Sequence, residues 1–451
     1  MFYLTCICKF TGLFAFIVMT AIETLYQHYL DFPIVCTDTR TIQKDCLFFA
    51  LKGENFNANT FAEAALQQGA AFAIIDEEQF AVNERCIIVP DVLGALQELA
   101  KYHRRQLQLP VIGLTGSNGK TTTKELINAV LSEKYRVFAT KGNLNNHIGV
   151  PLSVLSIRKD TEIAVIEMGA NHQKEIEMLC EIAQPTHGLI TNVGMAHLDG
   201  FGGFEGVKKG KAELYAYLKK THGFAFIHRE NPYLREMSQV AGLNKVIYYG
   251  LTAGDQTRGI LTEANPFIAL KWEYQGKAWD VHTHLTGTYN TENILAAVCI
   301  GNFFKVAPEA INRGLKNYRP VNNRSQLTET AKNKVICDFY NANPSSMAVA
   351  LANLNALSAE SKVVIIGDMF ELGAESAEQH RQIVKLALAY AFDKVVFIGE
   401  HFFASKSDER GLFFRNRDEA KEYLLQHAVE RSLVLLKGSR GMALEQLLPL
   451  L

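Results

Sequence analysis

Val111-Ile112-Gly113-Leu114-Thr115-Gly116-Ser117-Asn118-Gly119-Lys120-Thr121-Thr122 is the stretch that decides the fold. Its first five residues read as a buried strand. Gly116-x-x-Gly119-Lys120-Thr121 then turns the chain into a helix that continues from Thr122 to Leu131. Strand, glycine-rich turn, Lys-Thr and helix in that order form a phosphate-binding loop. Glycines let backbone N–H groups curl around phosphate oxygens, and the helix N-terminus adds a favourable dipole. Lys120 can reach the β- and γ-phosphates, and the Thr121 hydroxyl can ligate Mg²⁺. The fit is imperfect, because the generic loop has glycine where this chain has Leu114.

Working outward, residues 106–320 alternate apolar strands (Val111–Thr115, Ile163–Glu167, His187–Val193) with amphipathic helices (Thr122–Leu131, Gly206–Leu218). That alternation predicts a central parallel sheet flanked by helices. Residues 321–451 repeat the pattern, with runs at Lys334–Asp338, Lys362–Gly367, Lys394–Gly399 and Ser432–Leu436, and predict a Rossmann-like C-terminal domain. Residues 19–105 form an N-terminal domain of short runs (Cys46–Leu51, Phe72–Ile75, Cys86–Val89) and helical stretches (Ala21–Leu30, Thr60–Gln68, Leu93–Gln106). The fold class is therefore α/β, in three domains.

Composition narrows the function. A net charge of -1 gives no basic surface, so no nucleic-acid partner is expected. The eight cysteines are scattered without a C-x-x-C pair, as in a protein from a reducing compartment. Residues 10–18 are apolar but too short to span a bilayer, and no small-residue cleavage pattern follows. Residues 1–18 are read as an extension outside the fold, from an upstream start codon, in a cytoplasmic chain without stable membrane insertion.

Three residues outside the loop carry candidate chemistry. Glu167 closes its strand at the carboxyl end, where parallel sheets bind ligands. It is either a magnesium partner or a solvated strand end. Val207, Lys211, Leu214 and Leu218 share one helix face, which puts Lys211 on an apolar stripe. A buried ammonium is costly unless paired, so Lys211 either snorkels at the rim or has a special role. His197 follows a strand in Asn192-Val193-Gly194-Met195-Ala196-His197, an ordinary place for a loop histidine.

Asn143–Leu155 (NLNNHIGVPLSVL), Glu167–Asn171 (EMGAN), Thr191–Asp199 (TNVGMAHLD), Asp338–Met347 (DFYNANPSSM), Gly367–Gly373 (GDMFELG) and Lys437–Glu445 (KGSRGMALE) extend the comparison. With the phosphate loop, they closely resemble the Mur ligases of peptidoglycan synthesis over residues 20–451, and Leu114 suits that family's loop. The last three stretches resemble the branch that adds D-alanyl-D-alanine to a UDP-N-acetylmuramoyl tripeptide. The resemblance implies an ATP-dependent amide ligase working through an acyl phosphate. It implies nucleotide contacts from Gly116, Ser117, Asn118, Gly119, Lys120, Thr121 and Thr122, with Asn293 on adenine and Arg324 and Asp338 on phosphate and ribose. Lys120, His197 and Lys211 become catalytic. Thr121 and Glu167 would hold one Mg²⁺, His197 and a CO₂-derived carbamate on Lys211 a second. Thr39 and Arg40 would contact the uridine nucleotide, Asn145 and Asn146 the muramoyl substrate, and Asn341 a substrate in the C-terminal domain. A monomer is the expected state. Phe56-Asn57-Ala58-Asn59-Thr60-Phe61 departs from the family's FDGHDF, which leaves the nucleotide-sugar contacts there open. The alternatives are another Mur-type or folylpolyglutamate-type amide ligase, or a nucleotide-dependent switch ATPase.

Overall fold

The computed structural model describes residues 22–252, 255–321, 323–406 and 409–451. The expectation for residues 1–18 lies outside the described residues. The chain divides into two compact units. One runs to Gly113 and takes in Phe138–Met168 and Glu177–Pro185; the other holds Leu114–Val137, Gly169–Ile176 and Thr186–Leu451.

In the first unit a helix over residues 22–31 precedes β1 (Ile34–Cys36) and β2 (Cys46–Phe49). A short hairpin, β3 (Lys52–Gly53) and β4 (Phe56–Asn57), is followed by β5 (Phe72–Ile75) and β6 (Cys86–Ile88). Strands β1, β2, β5 and β6 pair in that order, all parallel. Every residue of β2 is buried, which is why this strand reads as an uninterrupted apolar run. Helix Val92–Gln106 begins where the Asp91 carboxylate accepts from Gly94 N at 2.7 Å.

The largest sheet contains β7 (Val111–Thr115), β8 (Val137–Ala139), β9 (Ile163–Glu167), β10 (His187–Ile190), β11 (Phe224–His228), β12 (Val246–Gly250), β13 (Thr257–Ala264), β14 (Phe267–Tyr274) and β15 (Lys277–Thr286). Their order is β15-β14-β13-β12-β11-β10-β7-β9-β8. The α/β sheet expected from the sequence is present, and an antiparallel meander, β13 to β15, extends one edge. The sequence reading did not find that meander. Strand β10 also ends at Ile190, short of the expected Val193, and beyond it Thr191 and Asn192 give their side chains to the phosphate loop.

The C-terminal sheet is built from β16 (Gln326–Glu329), β17 (Lys334–Asp338), β18 (Lys362–Gly367), β19 (Lys394–Ile398), β20 (Leu412–Phe414) and β21 (Leu433–Lys437), in the order β16-β17-β21-β18-β19-β20. Only the edge strand β16 pairs antiparallel. Val335, Val363, Val396 and Val434 stack in one apolar core beneath it. Among the described residues no helix is long and apolar enough to cross a membrane.

Candidate active site

The phosphate loop leaves the end of β7 and enters helix Lys120–Leu131, two residues earlier than the sequence pattern suggested. Two glycines are required by geometry. Gly116 has φ +145°, and a Cβ there would collide with the Thr191 hydroxyl. Gly119 has φ +77°, and its Cβ would lie 2.8 Å from Asn293 Oδ1.

The loop is held from the segment after β10. Ser117 N donates to Asn192 O at 3.0 Å, and Asn118 N to Asn192 Oδ1 at 2.9 Å. Thr191 Oγ1 and Asn192 Nδ2 both donate to Asn118 O, at 2.6 and 3.1 Å. Ser117 Oγ bridges the N–H and C=O of Gly194. Lys120 folds back over its own loop, donating to Gly116 O at 2.7 Å and Ser117 O at 3.2 Å. Thr121 and Thr122 are buried in the first helical turn. Thr123 Oγ1 donates to Asn293 Oδ1 at 3.0 Å, and Asn293 Nδ2 to Asn290 Oδ1 at 2.8 Å. Asn293 is thus fixed beside the loop.

Lys211 is 2% exposed on helix Phe204–Thr221. Val207, Leu214 and Leu218 are buried with it, as the spacing required. Its nitrogen lies 5.2 Å from the centre of the Phe201 ring. Burial, reinforced by the charge of Lys120, pushes its proton affinity well below the usual lysine range. His197 has φ +54° at the start of the short helix Leu198–Phe201. Its Nδ1 lies 2.5 Å from Glu371 Oε2. His197 in turn holds the Glu371 carboxyl below its ordinary range.

Contacts with the C-terminal sheet complete this side. Asn343 caps helix Pro344–Ala356 by accepting from Ser346 N, while its Nδ2 donates to Asn118 Oδ1 at 2.8 Å. Ser345 Oγ accepts from Met195 N at 3.0 Å. Arg324 stacks 3.8 Å from the centre of the Tyr340 ring. Asp338 accepts from Ser325 N at 3.2 Å and from Lys437 Nζ at 2.7 Å, and Lys437 also reaches Asn341 O. Asn341 Oδ1 accepts from Ala342 N.

The remaining predicted residues belong to the first unit. Glu167 is 1% exposed and accepts from Asn145 Nδ2 at 2.8 Å, while its N–H donates to Thr140 Oγ1. Asn146 Oδ1 accepts from Ile148 N and Gly149 N and starts helix Gly149–Leu155. Arg40, with an 86% exposed side chain, clamps Asp38, whose carboxyl it pulls down to about 2; Thr39 lies between them. In the stretch that departs from FDGHDF, Asn59 is fully buried and bonds Asp76, while Asn57 bonds Glu77. Among the described residues no three His, Cys, Asp or Glu side chains cluster as a metal site.

Sequence reading assigned no role to Asn343, Ser345 or Glu371. Asn343-Pro344 carried a usable signal, a capping residue followed by proline at the first helical position.

The model for the Mur ligase middle domain matches residues 114–301, and that for the Mur ligase glutamate ligase domain residues 323–440. A Bacillus subtilis protein named UDP-N-acetylmuramoyl-tripeptide–D-alanyl-D-alanine ligase is 34% identical over 428 residues, covering 92% of each chain. The chain belongs to the Mur ligase family. A protein of the same name from Escherichia coli is 35% identical to this Mur ligase, over 91% of this chain and 92% of its own. MurF from Acinetobacter baumannii superimposes on it with a TM-score of 0.83, at 31% identity and 92% coverage of both chains. MurF ligase from Thermotoga maritima, solved in complex with ADP, gives a TM-score of 0.81 at 26% identity, covering 92% of this chain and 96% of its own.

Proposed function

We propose that this Mur ligase joins D-alanyl-D-alanine to UDP-N-acetylmuramoyl tripeptide at the expense of ATP, forming the UDP-muramoyl pentapeptide of peptidoglycan synthesis in the cytoplasm. Similarity to ligases of that name along more than nine-tenths of both chains carries this reading. The fixed phosphate loop supplies the nucleotide site.

In this reading the γ-phosphate passes to the terminal carboxylate of the tripeptide. The dipeptide amine attacks the acyl phosphate, and the tetrahedral adduct collapses to the amide and phosphate. Both the phosphate and the carboxylate are anions, so the protein must position them and neutralise their charge. Lys120 exchanges its bonds to Gly116 O and Ser117 O for phosphate oxygens. Asn293, Arg324 and Asp338 orient the nucleotide; Thr39, Arg40, Asn145, Asn146 and Asn341 face the other substrates.

Mg²⁺ would supply charge neutralisation at the reacting oxygens. Thr121 and Glu167 would hold one ion, His197 and carbamylated Lys211 another. Lys211 suits that modification, because a buried amine of lowered proton affinity is populated in the neutral form that adds CO₂. Adding CO₂ to that neutral amine releases one proton and leaves an anionic oxygen ligand on the nitrogen.

ADP release in the presence of UDP-muramoyl tripeptide tests the assignment. D-alanyl-D-alanine should support release and single amino acids should not. Release driven instead by D-glutamate or a diamino acid would assign the chain to a different step.

A further inference from the structure

The loops after β17, β18 and β21 form one cluster. Strand β21 lies between β17 and β18, which are consecutive in sequence, so their carboxyl ends meet at the edge where open α/β sheets bind ligands. The three loops are tied together. Lys437 Nζ bonds Asp338 Oδ2 and Asn341 O; Ser439 N donates to Asp368 O at 3.1 Å; Phe370 N donates to Ser439 Oγ at 2.9 Å.

Within this cluster the charges are unequal. Lys437 is answered by Asp338. Arg440, three residues on and exposed, forms no ion pair among the described residues. Its guanidinium lies 5.9 Å from the centre of the Tyr340 ring, the ring on which Arg324 also stacks. An aromatic face steadies a guanidinium while leaving its N–H fork open to a carboxylate. Beside it, Phe370 is 41% exposed and packs over Gly441, where a Cβ would lie 2.8 Å from Cε2 of that ring. An exposed apolar wall beside an unanswered fork suits a ligand with small apolar side chains and one carboxylate.

Resting on the ligase reading above, we propose that Arg440 is a specificity-determining residue that binds the terminal carboxylate of the incoming dipeptide, with Phe370 against its methyl groups. The amine of the dipeptide must go to the acyl phosphate. Its carboxylate is then the single charged group left for the C-terminal domain to recognise.

The test compares D-alanyl-D-alanine with its C-terminal amide in the wild-type enzyme and in Arg440→Gln, by ADP release. Wild type should use the amide with KM raised on the order of 10- to 100-fold, the usual effect of losing a charge-assisted pair. Arg440→Gln should show a similar rise for the dipeptide and little further change on amidation. Arg440→Lys should recover part of the preference, and KM for ATP and for the tripeptide should hold in both variants. Retained preference for the carboxylate in Arg440→Gln overturns the proposal, as does a rise confined to KM for ATP. If wild type releases no ADP with either dipeptide, the ligase reading itself fails.

Discussion

His197 and Glu371 meet with Nδ1 and Oε2 2.5 Å apart, and both residues have left-handed backbones, at φ +54° and +63°. Such a conformation costs an L-residue about 1–2 kcal/mol, so the surrounding structure must impose it at both ends of the contact. The Glu371 side chain is about half exposed, and a pair of that kind adds roughly 0–1 kcal/mol to stability. Its value lies in orienting the imidazole. Glu371→Gln should leave the melting temperature almost unchanged while lowering kcat more than it raises any KM. Steady-state kinetics beside thermal unfolding will separate these effects, and an unchanged kcat would show that His197 is held without Glu371.

Lys120 spans Gly116 O and Ser117 O, which holds its charge over the loop that the ligase reading assigns to the phosphates. Lys120→Ala should abolish ATP-dependent ADP release with the fold retained. Circular dichroism and the release assay on one preparation decide the point; full activity would remove the loop from the reaction.

Lys211→Arg keeps roughly the length but cannot supply a neutral amine, since a guanidinium stays protonated. The variant should be severely impaired and indifferent to added bicarbonate. Wild-type enzyme depleted of CO₂ should regain activity on bicarbonate addition and show a ¹³C-carbamate resonance. Normal turnover by the variant would rule the modification out.

His187, at the start of β10, is buried among Phe224, Phe303 and Phe304, and burial pushes its proton affinity down to about 4. In the unfolded chain a histidine titrates near ~6.5. Between those values the unfolded state binds a proton that the folded state refuses. Stability is therefore complete above ~6.5 and is lost as pH falls toward about 4. Melting curves across that window should fall less steeply for His187→Phe than for wild type. Parallel curves would place the acid sensitivity elsewhere.

The parallel parts of the fold were legible in the sequence because their strands are buried on both faces. Val111–Thr115, Ile163–Glu167, Lys334–Asp338 and Lys362–Gly367 match strands residue for residue. Thr257–Ala264 alternates buried and exposed positions and mixes in polar residues, so it lacked that signature. The phosphate loop was legible because its chemistry is local. Asn343 with Asn118, and Ser345 with Met195, are 225 and 150 residues apart, and no short pattern encodes such pairs.

The capping amide of Asn343 has an orientation with consequences beyond its helix. Its oxygen is committed to Ser346 N, so only the NH₂ end can face Asn118. Asn118 must then present its own oxygen there, and its remaining Nδ2 becomes the end turned to other partners. The first turn of one helix thereby sets the donor–acceptor polarity of a side chain in the nucleotide loop. Asp in place of Asn343 could still cap the helix, yet with no NH₂ it would reverse that polarity at Asn118.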